Sequence, residues 1–307
     1  MKITLNQAKE LITDCLLANL VPMLAGSPGV GKSDLIRSIA ADYNLEVIDV
    51  RMSYYDLSDF NGFPNIDKQA NRAEFVPMRV FPLVDDPLPP GKDGWILFLD
   101  EFSSAAPAVI AAAYKLVLDR TVGMHPLHPK VRIVCAGNLD TDRAYTNRLN
   151  TAMQSRLVHL ELTSDDYKAW LDWAGTAGID YRIVAFINFR PEHLNVFKPD
   201  HNDKTFACQR TWEFASRLLK RYPGKRPQEK LPLLAGTLSE GIAREFFGFC
   251  QNFDELAPIS EVIAHPMDVR LPAEPSALHA MAGCVSNHLD ATTAQPLMQF
   301  LGRLPIE

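Results

Sequence analysis

A glycine-rich segment near the start of the sequence has the residue types and spacing for binding phosphate. Residues 26–33 read Gly-Ser-Pro-Gly-Val-Gly-Lys-Ser and fit the pattern G-x-x-x-x-G-K-[ST]. Glycines let successive backbone N–H groups turn inward around an anion, and a helix that follows adds the positive end of its dipole. A plain glycine-rich turn is the alternative. The strand pattern before the segment and the helix pattern after it favour a phosphate-binding loop instead.

This phosphate-binding loop predicts contacts to a nucleotide and to Mg²⁺. In the pattern, Lys32 reaches the β- and γ-phosphates and the hydroxyl of Ser33 ligates Mg²⁺. The sequence lacks the Asn-Lys-x-Asp motif that recognises guanine, so ATP is predicted rather than GTP. The residues that we predict to bind the nucleotide are Gly26, Ser27, Pro28, Gly29, Val30, Gly31, Lys32, Ser33 and Asp34.

Two acidic residues, Asp100 and Glu101, come at the end of an apolar run, 95–100, that is typical of a strand buried on both faces. The carboxyl ends of parallel strands lie beside such a loop. Asp100 is therefore predicted to hold Mg²⁺ through water, and Glu101 to activate the attacking water as general base. The alternative is a solvated acidic pair at a strand end, which the phosphate-binding loop upstream disfavours.

Asn138 follows the next apolar run, 131–137, in the same way. Its side-chain amide could hydrogen-bond the γ-phosphate or the lytic water. An Asn after a strand is usually a turn residue. The inference therefore depends on the combination of the loop, the acidic pair and this asparagine.

The elements that position these residues alternate between strand and helix patterns, which predicts an α/β fold with a parallel five-stranded sheet and flanking helices. The predicted nucleotide-binding core covers residues 1–163 and contains a proline- and glycine-rich, irregular insert at about 56–94. From residue 164 to residue 307 almost every pattern is helical. This part is predicted to form an all-α lid and a C-terminal helical extension.

Composition excludes several classes of protein. Of the 307 residues, 47% are hydrophobic and 22% are charged, which is typical of a folded globular protein and not of a disordered one. The net charge of −6 disfavours a nucleic-acid-binding protein. The five cysteines have no paired spacing, which favours a reducing compartment. Residues 1–17 read as an amphipathic helix rather than a signal peptide, and no apolar run is long enough to span a membrane. The predicted location is the cytoplasm.

Beyond these patterns, the sequence resembles AAA+ ATPases, and within them the MoxR-like group, over about residues 1–220. The segments that carry the resemblance are residues 25–33, 95–120, 131–138, 155–162 and 208–213. The resemblance implies a P-loop NTPase core that hydrolyses ATP to ADP and phosphate with Mg²⁺. It also implies a ring, usually a hexamer, in which the nucleotide lies between subunits.

The resemblance adds two arginine positions to the site and gives Asn138 a role in the family's terms. Arg156 matches the arginine finger that a neighbouring subunit inserts, and Arg148 is the runner-up in the same segment. Arg210 matches the lid arginine called sensor 2, and Asn138 matches sensor 1. The residues after Asn138 depart from the Asn-Pro continuation that is common in MoxR-like proteins. This departure leaves the choice between Arg156 and Arg148 open, and a surface salt bridge is the alternative for Arg156 and Arg210.

The insert at 56–94 lies where MoxR-like proteins carry an added helix or hairpin. Phe60 and Phe63 flank a glycine and could contact a partner in the pore of a ring, although buried anchoring residues are the more frequent case. Residues 119–133 predict a second hairpin. His125 and His128 in this segment lack a third candidate ligand and are not predicted to bind a metal.

These features favour an ATP-driven motor that remodels or activates a protein client as a chaperone does. By resemblance, a partner with a von Willebrand factor A domain is expected. A motor or loader that acts on nucleic acid is the first alternative, although the only basic cluster is at 217–226. A nucleotide-gated scaffold with little turnover is the second alternative, and the intact Lys32, Asp100 and Glu101 argue against it.

Overall fold

The computed structural model describes residues 1–69, 71–142, 151–163, 166–201, 203–221, 230–252 and 256–305. The chain forms two compact units, Met1–Ser164 and Asp165–Glu307. The first unit contains the parallel sheet. In the part of the second unit that the structure describes, the regular elements are helices.

The first unit is built on strands that alternate with helices along the chain. Its strands are β1 (Lys2–Ile3), β2 (Pro22–Ala25), β3 (Glu46–Arg51), β4 (Phe63–Asp67), β5 (Arg72–Val76), β6 (Trp95–Asp100), β7 (Thr121–Val122), β8 (His125–Pro126), β9 (Val131–Gly137) and β10 (Val158–Leu162). Its helices are α1 (Leu5–Leu17), α2 (Lys32–Asp42), α3 (Leu57–Asn61), α4 (Pro107–Leu118) and α5 (Thr151–Gln154).

Six strands form the main sheet, in the order β1-β10-β2-β9-β6-β3, and all neighbours are parallel. The predicted α/β fold is confirmed, but the predicted number of five strands is wrong. The additional strand, β1, has two residues and pairs with the end of β10, where Ile3 lies opposite Leu162. Two residues are too few to show a strand period, because the alternation of side chains needs at least four.

The central strands are buried on both faces, as their apolar runs predict. On β6, Ile96 and Phe98 belong to the apolar cluster that contains the buried faces of α1 and α2. Leu97 and Leu99 belong to the opposite cluster, with α4. Because successive side chains of a strand point to opposite faces, β6 joins both cores and its carboxyl end is held firmly.

The irregular insert contains a short helix and a hairpin. Strands β4 and β5 pair antiparallel, and β7 and β8 form the second hairpin that the sequence predicts. Strand β5 ends at Val76. Pro77 and Pro82 follow, and a proline lacks the N–H that a strand ladder needs.

The second unit is described by its helices, whose apolar faces form two clusters. Trp170, Phe186, Trp212 and Phe246 lie at the centre of the larger cluster. The helices are α6 (Tyr167–Thr176), α7 (Tyr181–Phe189), α8 (Gln209–Arg221), α9 (Leu231–Leu238), α10 (Glu240–Gln251), α11 (Ile259–Ala264), α12 (Pro275–Asn287) and α13 (Ala294–Leu301). Across the described ranges of both units, we find no helix with the length and apolar character needed to cross a membrane.

Candidate active site

The phosphate-binding loop connects the end of β2 to the start of α2. Gly29 and Gly31 have φ angles of 81° and 96°, in the left-handed region that glycine adopts without steric cost. Gly31 is also the residue that precedes the first turn of α2. The loop therefore has the conformation that its glycines predict, with the amino end of an eleven-residue helix directly behind it.

Lys32 brings together two of the predicted sites. Its Nζ donates hydrogen bonds to the carbonyl oxygens of Gly26 and Ser27, the latter at 3.2 Å. It also donates to Asn138 Oδ1 at 3.2 Å. Because β9 lies beside β2 in the sheet, Asn138 emerges next to the loop. An ammonium group and an amide therefore face the same point, where the phosphate pattern places the γ-phosphate.

Ser33 and Asp100 form the second contact between predicted site residues. Ser33 Oγ donates to Asp100 Oδ2 at 3.3 Å. A hydroxyl and a carboxylate oxygen are ligands of the type that Mg²⁺ prefers, and Mg²⁺ at such sites keeps waters and binds the substrate phosphates as well. These residues fit a magnesium ion. Within the described ranges, no group of three or more His, Cys, Asp or Glu side chains forms a metal site of the all-protein kind.

Glu101 follows Asp100 with a φ of 56°, in the left-handed region. Its backbone N donates to Asp100 Oδ1 at 2.8 Å. Ser53 Oγ donates to Glu101 Oε2, and Ser53 belongs to the short 3-10 helix after β3. A non-glycine residue in the left-handed region is uncommon and costs energy, and such residues are frequent at functional sites.

Asp49, on β3 beside β6, has a pKa that is shifted by the nearby acidic pair. Partial burial raises the pKa of Asp49, and the negative charges of Asp100 and Glu101 raise it further, while Arg51 and Arg37 lower it. Arg37 Nη2 lies 3.7 Å from Asp49 Oδ2. The carboxylates near the end of β6 therefore repel one another, and a cation at this position would relieve the repulsion.

Two residues in contact with the predicted site were missed by the sequence analysis. Ser53 contacts Glu101 as described above. Asp142 is buried, and its carboxylate accepts hydrogen bonds from Ser27 Oγ at 3.1 Å and from the backbone N of Leu139 at 3.3 Å. Neither residue belongs to a recognisable motif, and each is more than 40 positions away from its partner side chain in the sequence.

The remaining predicted site residues lie apart from these contacts. Asp34 is exposed on the first turn of α2 and pairs with Arg37. Arg156 is exposed after α5, where its guanidinium lies 5.0 Å from the ring centroid of Tyr114 and donates to Ala152 O at 2.7 Å. Arg148 lies outside the described residues. Arg210 is exposed in the first turn of α8, in the second unit, and its approach to the nucleotide stays a prediction.

The two phenylalanines of the insert differ in burial. Phe60 is 2% exposed and packs on Phe81, with ring centroids 5.5 Å apart, whereas Phe63 is 51% exposed on β4. Nε2 of His125 lies 2.9 Å from Phe75 O, which joins the two hairpins. Nδ1 of His128 accepts from the backbone N of Lys130. Both imidazoles thus have backbone partners.

Residues 22–159 match the family model of the AAA domain, dynein-related subfamily. The matched segment lies within the first unit. This match confirms the predicted ATPase class and, for this segment, the resemblance to AAA+ ATPases. The matched segment includes the phosphate-binding loop, the acidic pair, Asn138 and Arg156, while Arg210 lies beyond its limits. The MoxR-like subgroup stays a prediction. No curated protein matches the sequence.

Several solved structures resemble the chain at low sequence identity. A candidate ATPase from Cytophaga hutchinsonii has a TM-score of 0.42 and 18% identity over 56% of this chain, which spans 50% of that structure. A point mutant of RuvB from Thermotoga maritima has a TM-score of 0.43 and 18% identity. The match covers 98% of this chain and 88% of that chain. NtrX from Brucella abortus has a TM-score of 0.44 and 17% identity. The match covers 91% of this chain and 67% of that chain. Likenesses with such low TM-scores carry no argument about function.

Proposed function

We propose that this protein is a Mg²⁺-dependent ATPase motor of the MoxR-like type, which assembles into a ring and remodels a protein client. The observation that carries the proposal is the convergence of Lys32, Asn138, Ser33 and Asp100. Two hydrogen bonds join these four residues, although they come from three separate parts of the sequence. A glycine-rich turn without a nucleotide-binding role would not require an amide and a carboxylate from two neighbouring strands beside it.

The proposed chemistry is the in-line transfer of the γ-phosphoryl group of ATP to water. The water oxygen forms a bond to the γ-phosphorus, the bond to the bridging oxygen breaks, and ADP leaves with the electron pair. Lys32 and the loop N–H groups orient the phosphates, and Asn138 orients the γ-phosphate or the water. Ser33 and Asp100 would hold Mg²⁺, which supplies charge stabilisation when bound.

Glu101 is the proposed general base, and its surroundings support this role. Ser53 donates to Oε2 of the carboxylate. An ionised carboxylate has two oxygens with several acceptor positions, so Glu101 keeps capacity for a water while Ser53 holds its orientation. The proton of the attacking water passes to Glu101.

We further propose that hydrolysis depends on assembly into a ring, which is hexameric by resemblance. Arg156 is the proposed arginine finger, with Arg148 as runner-up. The exposure of Arg156 at the end of α5 supports the proposal, because an arginine that acts in a neighbouring subunit has to lie at the surface. Arg210 of α8 is proposed to approach the γ-phosphate as sensor 2.

A protein client and a partner with a von Willebrand factor A domain remain proposals from resemblance. The hairpin β4–β5 supports a protein client, because Ile66 and Phe75 on one face and Phe63 on the other are each at least 50% exposed. Apolar side chains that are exposed together mark protein-binding surfaces more often than nucleic-acid-binding ones. The five cysteines all lie within the described ranges and are thiols rather than disulfides, which supports the proposed cytoplasmic location.

A pull-down with Glu101→Gln in ATP tests the proposed function. This variant binds ATP without turnover and should retain the client, whereas the Lys32→Ala control should release both nucleotide and client. A protein partner retained only by Glu101→Gln supports the remodelling motor. ATP hydrolysis that rises several-fold on addition of single- or double-stranded DNA or RNA would favour the nucleic-acid alternative. A flat phosphate-release trace at high protein concentration would favour the scaffold.

A further inference from the structure

Asp142 connects the phosphate-binding loop to the turn that carries Asn138. Its Oδ1 accepts from Ser27 Oγ at 3.1 Å, and its Oδ2 accepts from the backbone N of Leu139 at 3.3 Å. The residue is 7% exposed. A buried carboxylate needs hydrogen-bond donors to offset its desolvation, so these two contacts hold Asp142 and, through it, hold the two segments together.

The contacts of Asp142 and Lys32 form a closed circuit. Lys32 Nζ donates to Ser27 O and to Asn138 Oδ1, both at 3.2 Å. Ser27 is joined through its hydroxyl to Asp142, and Asp142 is joined to Leu139, the residue after Asn138. The position of Asn138 relative to the loop is thus fixed from two sides, by an ammonium group and by a carboxylate.

The two sides of this circuit respond differently to a nucleotide. In the proposed function, phosphate oxygens compete for Lys32 Nζ with its acceptors on the protein. The Asp142 contacts do not involve Lys32, so this competition leaves them intact. A backbone hydrogen bond from Gly26 N to Gly137 O, at 3.2 Å, also joins the two segments. It lies before Asn138, however, and does not constrain the turn that follows.

We propose that Asp142 is a positioning residue for ATP hydrolysis, which holds Asn138 at a fixed position relative to the phosphate-binding loop. Asp142 acts through Asn138 and does not contact the substrate. This inference rests on the proposed role of Asn138 at the γ-phosphate. Positional errors of an orienting group affect the chemical step more than the binding of product, so the effect should appear in kcat.

The hydrogen bonds, and not the negative charge, are the part of Asp142 that this role requires. The Ser27 hydroxyl can donate or accept. In Asp142→Asn, the amide oxygen can accept from Leu139 N while the amide N–H donates to Ser27 Oγ. Asp142→Asn can therefore keep both contacts, whereas Asp142→Ala loses both.

Steady-state ATPase kinetics of the full chain test the inference. We expect Asp142→Ala to lower kcat about 10-fold, while the affinity for ADP changes by less than about 2-fold. Asp142→Asn should retain kcat to within about 3-fold, and Ser27→Ala should fall between the two. The matched control is Asp86→Ala, which removes a carboxylate that accepts from Leu83 N at 2.6 Å in another turn. It should leave kcat unchanged.

The decisive arm is the combination with Asn138→Ala. In that background, Asp142→Ala should lower kcat by less than about 2-fold further, because a residue that acts through Asn138 has nothing left to position. The inference would be overturned by a further 10-fold loss in the double variant, or by a wild-type kcat of Asp142→Ala or Asn138→Ala. It would also be overturned if Asp142→Asn were as slow as Asp142→Ala. If thermal unfolding shows that Asp142→Ala does not fold, Ser27→Ala in the Asn138→Ala background provides the same test.

Failure of this inference can be distinguished from failure of the proposed function. If the parental protein and Lys32→Ala hydrolyse ATP equally slowly, the proposed function fails. If the parental protein is active, Lys32→Ala is inactive and Asp142→Ala equals the parent, then only the positioning role fails.

Discussion

The phosphate-binding edge of the sheet and the pair of hairpins lie in the same unit but are built on different principles. At the edge, polar residues from the start of α2 and from the carboxyl ends of β6 and β9 are partly buried and joined by hydrogen bonds. On the hairpin β4–β5, large apolar residues are exposed, with Ile66 at 70%. The normal distribution of polar and apolar groups is reversed in both regions. Each reversal costs stability, and function is the usual reason for retaining it.

The difference shows how each region is specified by the sequence. The edge depends on long-range order, because its side chains meet only when β9 lies between β2 and β6. The hairpin depends on local order, because β4 and β5 are only four residues apart in the sequence and pair directly with each other. Substitutions at the edge should therefore alter the chemistry, and most substitutions on the exposed hairpin face should not.

The largest effect should come from Glu101→Gln. The amide cannot accept a proton, and loss of a general base lowers kcat by about 10²–10⁴-fold, with nucleotide binding retained. Glu74→Gln on β5 is the matched control, because Glu74 also accepts a side-chain hydrogen bond, from Asn65 across the hairpin, but is not one of the predicted site residues. It should hydrolyse ATP at the parental rate. Phosphate release at saturating ATP measures both variants, and a Glu101→Gln protein as fast as the parent would contradict the proposed base.

Some site residues could be predicted from the sequence because local patterns fix their positions, and others could not because their contacts form only in the folded sheet. Lys32, Ser33 and Asp100 could be predicted because fixed spacing and strand ends determine their positions. Ser53 and Asp142 could not, because each is a common turn residue whose partner is distant in the sequence. A hydrogen bond of this kind depends on the final sheet order, which no local period encodes.

The hairpin region was harder to predict for a different reason. Phe60 and Phe63 are three positions apart with similar neighbours, so no pattern in the sequence distinguishes them. The structure buries Phe60 and exposes Phe63, because Phe60 is in α3 facing Tyr55 and Phe81 while Phe63 begins β4. The change from helix to strand within these few residues reverses the face of each side chain.

This pair gives the second prediction, on stability. Phe60→Ala should lower the free energy of unfolding by about 3–5 kcal/mol, because it leaves a cavity between Tyr55 and Phe81. Phe63→Ala should change it by less than about 0.5 kcal/mol, because the ring is half-exposed. Urea titration followed by circular dichroism measures both values. Equal losses for the two variants would mean that the β4–β5 face is covered in solution.

The third prediction concerns the close approach between β9 and the segment after Glu101. A Cβ on Gly137 would lie 2.6 Å from Ser103 Oγ and 3.0 Å from Met23 Cε, so Gly137→Ala should cost about 1–3 kcal/mol of stability. Ser103 Oγ is buried and has no hydrogen-bond partner among the described residues, so Ser103→Ala should cost little.

The double variant Gly137→Ala/Ser103→Ala should recover most of the loss, because removal of the hydroxyl makes room for the new methyl group. A double-mutant cycle of thermal unfolding measures this coupling. Strictly additive losses would place the strain elsewhere. Gly62 provides a contrast in the insert, where a Cβ would meet the carbonyl oxygen of Val76 at 2.7 Å. A backbone atom cannot be removed in this way, so no single second substitution should rescue Gly62→Ala.

The smallest effect should come from Asp49, at the margin of the acidic edge. Because its pKa is raised in the folded protein, the contribution of Asp49 to stability is fully present below its unfolded pKa and is lost as pH rises through the folded value. At pH 7, Asp49→Asn should therefore be slightly more stable than the parent, by no more than about 1 kcal/mol after solvent screening. The difference should shrink as pH falls towards 3.8, the ordinary value for an aspartate. Thermal unfolding of both proteins between pH 4 and pH 8 measures it. An Asp49→Asn variant that is instead less stable than the parent at pH 7, with a deficit that shrinks on acidification, would mean that the ion pair with Arg37 outweighs burial and the charges of Asp100 and Glu101.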